Sequence, residues 1–283
     1  MTSPTTRHTD APCNTSHESI APGTRAVAAR PASTWTGWGQ WLALATMTLD
    51  HLTRYVLPEA WNLDWAGSSL GRIAFPLFAA MVAWHGLFNT RNPLRYARRI
   101  LVIGLVAQLP FMLMPRASDA LLLNVCFTLA AGLAWGAGLR ELLARYRSGE
   151  LESRWLALGG LASLTVWALL GHWVEYGHEG LLLVPLLMLA MYHLHRAGEP
   201  LAERLAAAAL ALPVLVVAGQ MNATDLAKSF TVATCVAALW LAAGAHRLAP
   251  GVPQAMPRRL WLAWYPGHFA LIALWLWLAG GLG

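Results

Sequence analysis

The stretch ATMTLDHLTRY, residues 45–55, lies inside an apolar run and yet holds Asp50, His51 and Arg54. On a helix, Met47, Asp50, His51 and Arg54 follow i, i+3, i+4, i+7 spacing and share one face. Asp50 then sits about 18 Å along the helix from Trp38 at ~1.5 Å per residue. A charge at that depth costs about 2.5 to 3.5 kcal/mol on insertion scales, so it must face a bundle interior or a water-filled cavity and have a partner. One reading is an Asp50 to Arg54 salt bridge that only locks helices together. The other is acid–base chemistry, with His51 taking a proton, Asp50 fixing its tautomer and a further donor facing a developing oxyanion.

Four later stretches add to this set. SSLGRIAFPLFAAMVAWHG carries Arg72 beside Pro76, which has no N–H for the Arg72 carbonyl, so an open turn is expected there, with Ser68 or Ser69 as the helix cap and His85 near the interface. NTRNPLRYARRILVIGLVAQLPF groups Arg91, Arg95, Arg98 and Arg99. Arg95 and Arg98, one turn apart, could bracket the phosphates of a coenzyme or lipid, or the cluster could only set topology and meet anionic headgroups. Gln108, Asn124 and Thr128 are uncharged polar groups at membrane depth, of the kind that joins helices or contacts substrate. GHWVEYGHEG gathers His172, Glu175, Tyr176, His178 and Glu179 but has no HExxH spacing, so no metal centre is expected. LAWYPGHFALIALWLW places Tyr265, Pro266 and His268 early in an apolar run, with His268 a second candidate for the oxyanion beside Arg72.

The elements that must hold these residues are membrane helices. The chain has 283 residues, is 57% hydrophobic and only 12% charged, and has 15 tryptophans, a balance outside that of soluble domains. Its net charge of +6 comes from short clusters between apolar runs, which argues against nucleic-acid binding. Cys13, Cys126 and Cys235 form no CxxC or metal spacing. Residues 1–34, rich in Thr, Ser, Pro and Ala, read as a disordered, uncleaved cytosolic tail, and 35–283 as one integral membrane domain.

Runs able to cross ~30 Å of hydrocarbon fall near 37–57, 68–88, 100–115, 121–143, 155–173, 180–195, 204–220, 229–246 and 260–281. Sixteen Lys or Arg residues lie on alternate connections and two, Arg116 and Lys228, on the others. That asymmetry predicts an all-α bundle of about nine transmembrane helices with the N-terminus cytoplasmic and the C-terminus outside. Arg54 and Arg72 then fall toward the outer side.

The segments MTLDH, GRIAFPLFA, RNPLRYARRI, QLPF, LLNVCFTLAAGL, EYGHEGLLLVPLL and WYPGHFALI occur in the order found in the TraX family of conjugative-plasmid membrane proteins, which also includes the related TrbP proteins. The chain resembles that family over about residues 40–275. Its Thr/Ser/Pro-rich tail and its Ala/Trp-rich sixth to eighth spans depart from the pattern. The resemblance implies a multi-pass protein of the bacterial inner membrane that matures a conjugative pilin subunit, by acetylating the pilin N-terminus from acetyl-CoA. It carries over to Asp50, His51, Arg72, Asn92, Arg95, Gln108, Pro110, Asn124, Glu175, Tyr176, Gly177, Tyr265, Pro266 and His268. Residues and resemblance taken together make Asp50, His51, Arg72, Glu175 and His268 the catalytic candidates, and Arg54, Arg95, Arg98, Gln108, Asn124, Tyr176 and Tyr265 the binding candidates. The same set would serve a lipid reaction, in which Arg54 and Arg72 hold phosphatidylglycerol and His51 directs a phosphoglycerol group to the pilin. A non-catalytic insertion or assembly scaffold is the third reading, and it needs no His51.

Overall fold

Each apolar run of the sequence coincides with a helical segment in the computed structural model, which describes residues 33–115 and 120–280. The expected tail lies outside the described residues except for its last two, and so does Arg116. In order, the helices are α1 (Thr34–Tyr55), α2 (Asp64–Ser68), α3 (Ala74–Trp84), α4 (Pro93–Met112), α5 (Val125–Arg147), α6 (Ser153–Leu170), α7 (Gly177–Arg196), α8 (Leu201–Ala209), α9 (Leu212–Gln220), α10 (Asp225–Ala242) and α11 (Arg258–Leu278). A 3₁₀ turn, Leu70–Ile73, joins α2 to α3, and a π turn, His85–Asn89, extends α3. Among the described residues, six segments are long and apolar enough to cross a membrane: Asp64–Asn89, Ser153–Leu170, Gly177–Arg196, Leu201–Gln220, Asp225–Ala242 and Arg258–Leu278. α1, α4 and α5 are helical as expected but are not among these six.

Local chemistry sets the boundaries. Asn92 caps α4 by accepting the Arg95 amide, with Pro93 in the first turn, so this helix takes in the arginine cluster instead of starting near residue 100. Asn124 caps α5 through the Cys126 amide, and Thr224 caps α10 through the Ala227 amide. The expected Ser68 or Ser69 cap is not formed: both hydroxyls turn back to the Trp65 carbonyl. Pro76 falls in the first turn of α3, where a missing N–H goes unused, so the polar break precedes the helix as the 3₁₀ turn at Arg72.

Asp64–Asn89 is the most enclosed of the six segments, and α6 has none of its residues buried. The bundle is therefore built around α3, with α6 at its rim. At one end the start of α1 meets the π turn, where Asn89 Nδ2 bonds Ser33 Oγ, and the Trp38 and Trp41 indoles reach the Pro250 and Gln254 carbonyls. The rings of Trp84, His195 and His246 meet there too. Arg91, Arg95, Arg196, Arg247 and Arg258 belong to this end by chain position, which we call the basic end.

At the opposite end α1 and the α2–α3 connection cross at van der Waals distance. A Cβ on Gly71 would lie 2.7 Å from Asp50 Cβ and 2.7 Å from its Oδ1, and one on Gly67 would lie 2.6 Å from Thr53 Oγ1. Only the missing side chains let the two backbones close on Asp50. Gly71→Ala is expected to destabilise the protein by about 1 to 3 kcal/mol, the usual cost of overpacking. The check is a lower thermal midpoint in detergent, with Gly138→Ala, a position with open space around it, unchanged.

Candidate functional site

Two arginines share the Asp50 carboxylate. Arg72 Nη2 lies 3.2 Å from Oδ1 and Arg54 Nη2 lies 3.6 Å from Oδ2, with Asp50 itself 8% exposed. Asp50 is on α1 and Arg72 in the 3₁₀ turn, so the pair clamps the crossing described above. The carboxylate does not hold His51 in a tautomer, as the sequence suggested, because Asp50 Oδ2 is 4.0 Å from His51 Nε2, beyond hydrogen-bond reach.

That task falls to α11. His51 Nδ1 and His268 Nε2 are 2.7 Å apart, and the rings are within 8° of coplanar with centroids 4.9 Å apart, the geometry of an in-plane N–H···N bond and not of overlapping faces. His268 Nδ1 lies 2.8 Å from the Trp264 carbonyl. A carbonyl only accepts, so His268 donates from Nδ1. In the uncharged pair its Nε2 therefore accepts from His51 Nδ1–H, which leaves a bare lone pair on His51 Nε2. The Trp264 indole donates to Thr48 Oγ1 of α1 at 2.9 Å, so the element that carries His268 is pinned to the helix that carries His51.

His51 Nε2 is positioned at a small cavity of about 30 Å³, lined also by Asp50, Gly71, Phe75, Glu175, Tyr176 and Tyr265. The sequence placed these residues far apart, and the fold brings Asp50, His51, Arg72, Glu175, Tyr176, Tyr265 and His268 to one region. Glu175 arrives on the α6–α7 connection, which pairs with the start of α5: Glu175 N–H donates to the Leu123 carbonyl at 2.8 Å, and Leu123 N–H to the Trp173 carbonyl at 2.7 Å. Its Oε2 accepts the Val125 amide at 2.9 Å, at the positive end of α5. Burial pushes the Glu175 carboxyl up to about 7, against the pull of Arg54 and of the Val125 amide. Tyr176 follows in the left-handed region at φ 65°, a strain of order 1 to 3 kcal/mol for a non-glycine residue. Its ring stacks on Phe75 with centroids 4.0 Å apart. The Tyr265 hydroxyl is buried at the same cavity and has no hydrogen-bond partner among the described residues. An orphaned buried donor at the same cavity as a bare imidazole nitrogen is a group waiting for an acceptor.

Gln108 and Asn124 use their side chains to join helices, the ordinary role of uncharged polar groups at membrane depth. Gln108 Nε2 donates to the Leu122 carbonyl, its Oε1 accepts from Asn124 N–H and Nδ2, and Asn124 Nδ2 also donates to the Gly104 carbonyl. Asn124 is fully buried. Together they tie the strand-like turn that carries Val125 to α4, and Thr128 Oγ1 completes the frame by donating to the Glu175 carbonyl at 2.6 Å.

At the basic end lies a larger cavity of about 460 Å³, lined by Gln40, His85, Asn89, Arg91, Arg95 and Arg99 among others. Arg98 is not part of its wall. Successive helix residues are ~100° apart, so Arg99 and Tyr96 continue the face of Arg95 while Arg98 turns away. The arginines on the wall of this cavity are therefore Arg91, Arg95 and Arg99, and not the pair Arg95 and Arg98. His85 Nδ1 accepts from Asn89 Nδ2 at 2.9 Å across the π turn, a widening that recurs at functional sites. His172 and His178 meet ring to ring on the α6–α7 side, with His178 Nε2 on the Ala168 carbonyl. Among the described residues no group of three or more His, Cys, Asp or Glu is arranged to hold a metal ion.

Fold and site define a helical protein of membrane type with an ionisable cluster enclosed between its helices. A family model described as TraX protein matches residues 39–276, and the chain belongs to that family. Membership implies a role in conjugative pilin processing. No curated protein and no solved structure matches the chain.

The frame and the chemistry are separable by mutation. Asn124→Ala removes a helix cap and two further side-chain hydrogen bonds and is expected to lower stability by about 1 to 3 kcal/mol, read as a lower thermal midpoint in detergent. Arg98→Ala is expected to leave both stability and ligand binding at the basic end unchanged, while Arg99→Ala weakens that binding.

Proposed function

We propose that this protein is a nine-span transferase of the bacterial inner membrane that acetylates the N-terminal amine of a conjugative pilin subunit, with acetyl-CoA as donor. Its N-terminus is cytoplasmic and its C-terminus external, on the sixteen to two asymmetry of basic residues. The observation that carries the reaction type is the hydrogen-bond chain from the Trp264 carbonyl through His268 to His51, which leaves the Nε2 lone pair of His51 beside a cavity.

The amine attacks the thioester carbonyl and gives its proton to His51 Nε2; the N–C bond forms as the C–S bond breaks, and the thiolate leaves with that proton. His268 is a positioning residue that holds the tautomer. The Tyr265 hydroxyl donates to the oxyanion, a part the sequence had assigned to Arg72 or His268, both of which have other partners. Glu175, ionised above about pH 7, receives the incoming ammonium before it loses its proton. Acetyl-CoA fits the basic cavity by charge, with Arg91, Arg95 and Arg99 toward its phosphates.

Arg54 and Arg72 beside Asp50 favour a second reading, in which phosphatidylglycerol gives a phosphoglycerol group to the pilin. The intact mass of pilin produced with and without this protein decides. An added acetyl group supports the first reading, an added phosphoglycerol the second, and an unchanged pilin leaves only a scaffold. His51→Ala is expected to slow acetyl transfer by ~10² to 10⁴, with Tyr265→Phe lowering kcat and not raising KM. Transfer should rise as pH passes through about 7, and Glu175→Gln should remove that inflection, since the amide has no proton to lose.

A further inference from the structure

The two cavities lie on consecutive stretches of the same helices. On α1, Gln40 lines the large cavity and Met47, Asp50 and His51 the small one; on α11, Trp261 lines the large one and Tyr265 the small one. On the α3 segment, His85 and Met81 belong to the large cavity and Phe75 and Gly71 to the small, and Phe78 lines both. From Gln40 to His51 is about 16 Å at ~1.5 Å per residue, roughly half the ~30 Å of a hydrocarbon core. Phe78 is half-buried and packs on Trp261 with ring centroids 5.4 Å apart. Phe78 thus stands in a wall that the two cavities share.

Their chemistry differs by end. The large one carries three arginines and a volume of about 460 Å³, within the range of ligand sites. The small one, about 30 Å³, has room for little more than water and holds the bare imidazole, the orphaned phenol and the carboxylate. An acyl group can reach it only if Phe78 turns aside.

Resting on the acyl-transfer reading, we infer that the transfer is vectorial: the thioester donor binds from the arginine-bearing face, its acyl end passes Phe78, and the acceptor amine meets it from the opposite face of the membrane. No carrier of the acyl group is needed beyond the donor itself. The bond that forms is N–C and the bond that breaks is C–S, with the thiol retained on the donor's side. Phe78 is a gate and touches neither reacting group until it moves. The acceptor is an amine presented on the face away from the arginines, as on a polypeptide already exported.

The test uses the full chain reconstituted in sealed vesicles of random orientation, with membrane-impermeant acetyl-CoA and a synthetic peptide bearing the mature pilin N-terminus. Detergent-solubilised protein given both reagents measures transfer itself. Acetylated peptide when donor is trapped inside and peptide is outside, with none when both are outside only, supports vectorial transfer. Equal product with both reagents on one face overturns it and leaves the acyl-transfer reading standing. No product in detergent overturns both. Phe78→Trp is expected to lower transfer by about 10²-fold, the scale of misplacing a reacting group, while coenzyme A binding by titration calorimetry stays unchanged. Full transfer in Phe78→Trp overturns the gate, and loss of coenzyme A binding in it overturns the separation of the two cavities.

Discussion

A carboxylate at membrane depth cannot remain unpaired, and the arrangement of α1 against the α2–α3 connection follows from satisfying Asp50. Removing one partner from a buried ion pair costs about 3 to 5 kcal/mol because a bare charge is left behind. Two arginines on one carboxylate leave the cluster with a net positive charge that Glu175 is placed to balance when ionised. The glycines at 67 and 71, the 3₁₀ turn and the placement of Pro76 after the turn all serve the same approach. The ion pair is a weak argument for stability and a strong one for register, since any slip of α1 along α3 would separate Asp50 from Arg72.

With that crossing fixed, the remaining polar groups divide into those that use up their hydrogen bonds and those that do not. Gln108, Asn124 and Thr128 use theirs on the turn before α5 and on the Glu175 backbone. Trp264 and Thr48 use theirs to join α11 to α1. Two groups without a partner among the described residues face the small cavity, His51 Nε2 and the Tyr265 hydroxyl, while the Trp35 and Trp135 indole nitrogens and Asn89 Oδ1 are buried without one elsewhere. A bare imidazole nitrogen and a phenol at one void are complementary to a ligand with both a proton to lose and an oxygen to be held.

Much of this was legible in the sequence because membrane burial is a one-dimensional signal. The apolar runs fall on helices, since length and hydropathy alone mark them, though six segments among the described residues, not nine, are long and apolar enough to cross a membrane; the ionisable residues inside the runs pointed to one polar cluster for the same energetic reason. Pairings were not legible. His51 and His268 are 217 residues apart, and no local spacing could say that the imidazole would find His268 and not its chain neighbour Asp50. Arg98 and Arg99 differ by one step of helix rotation, and which of them faces a cavity depends on how α4 packs. Gln108 and Asn124 have side chains suited to substrate and to framework alike, and the turn that their hydrogen bonds hold is visible only in the fold. Tyr265 had a signal in its place near His268, but its lack of a partner is a property of three dimensions.

The separation of the two cavities meets a constraint that any protein with polar groups at both ends of a membrane bundle must satisfy. A continuous wet path from the arginines to His51 would let protons and ions cross with each turnover. An apolar constriction is sufficient to stop them, because a narrow hydrophobic passage sheds its water. Phe78, which lines both cavities and packs against Trp261, is the aromatic residue placed to supply that wall. A thin acyl arm can displace one ring at the cost of a rotamer change, whereas a hydrated ion must lose its shell in the same space. The position that keeps the bundle closed to ions is therefore also the one through which an uncharged chain can pass.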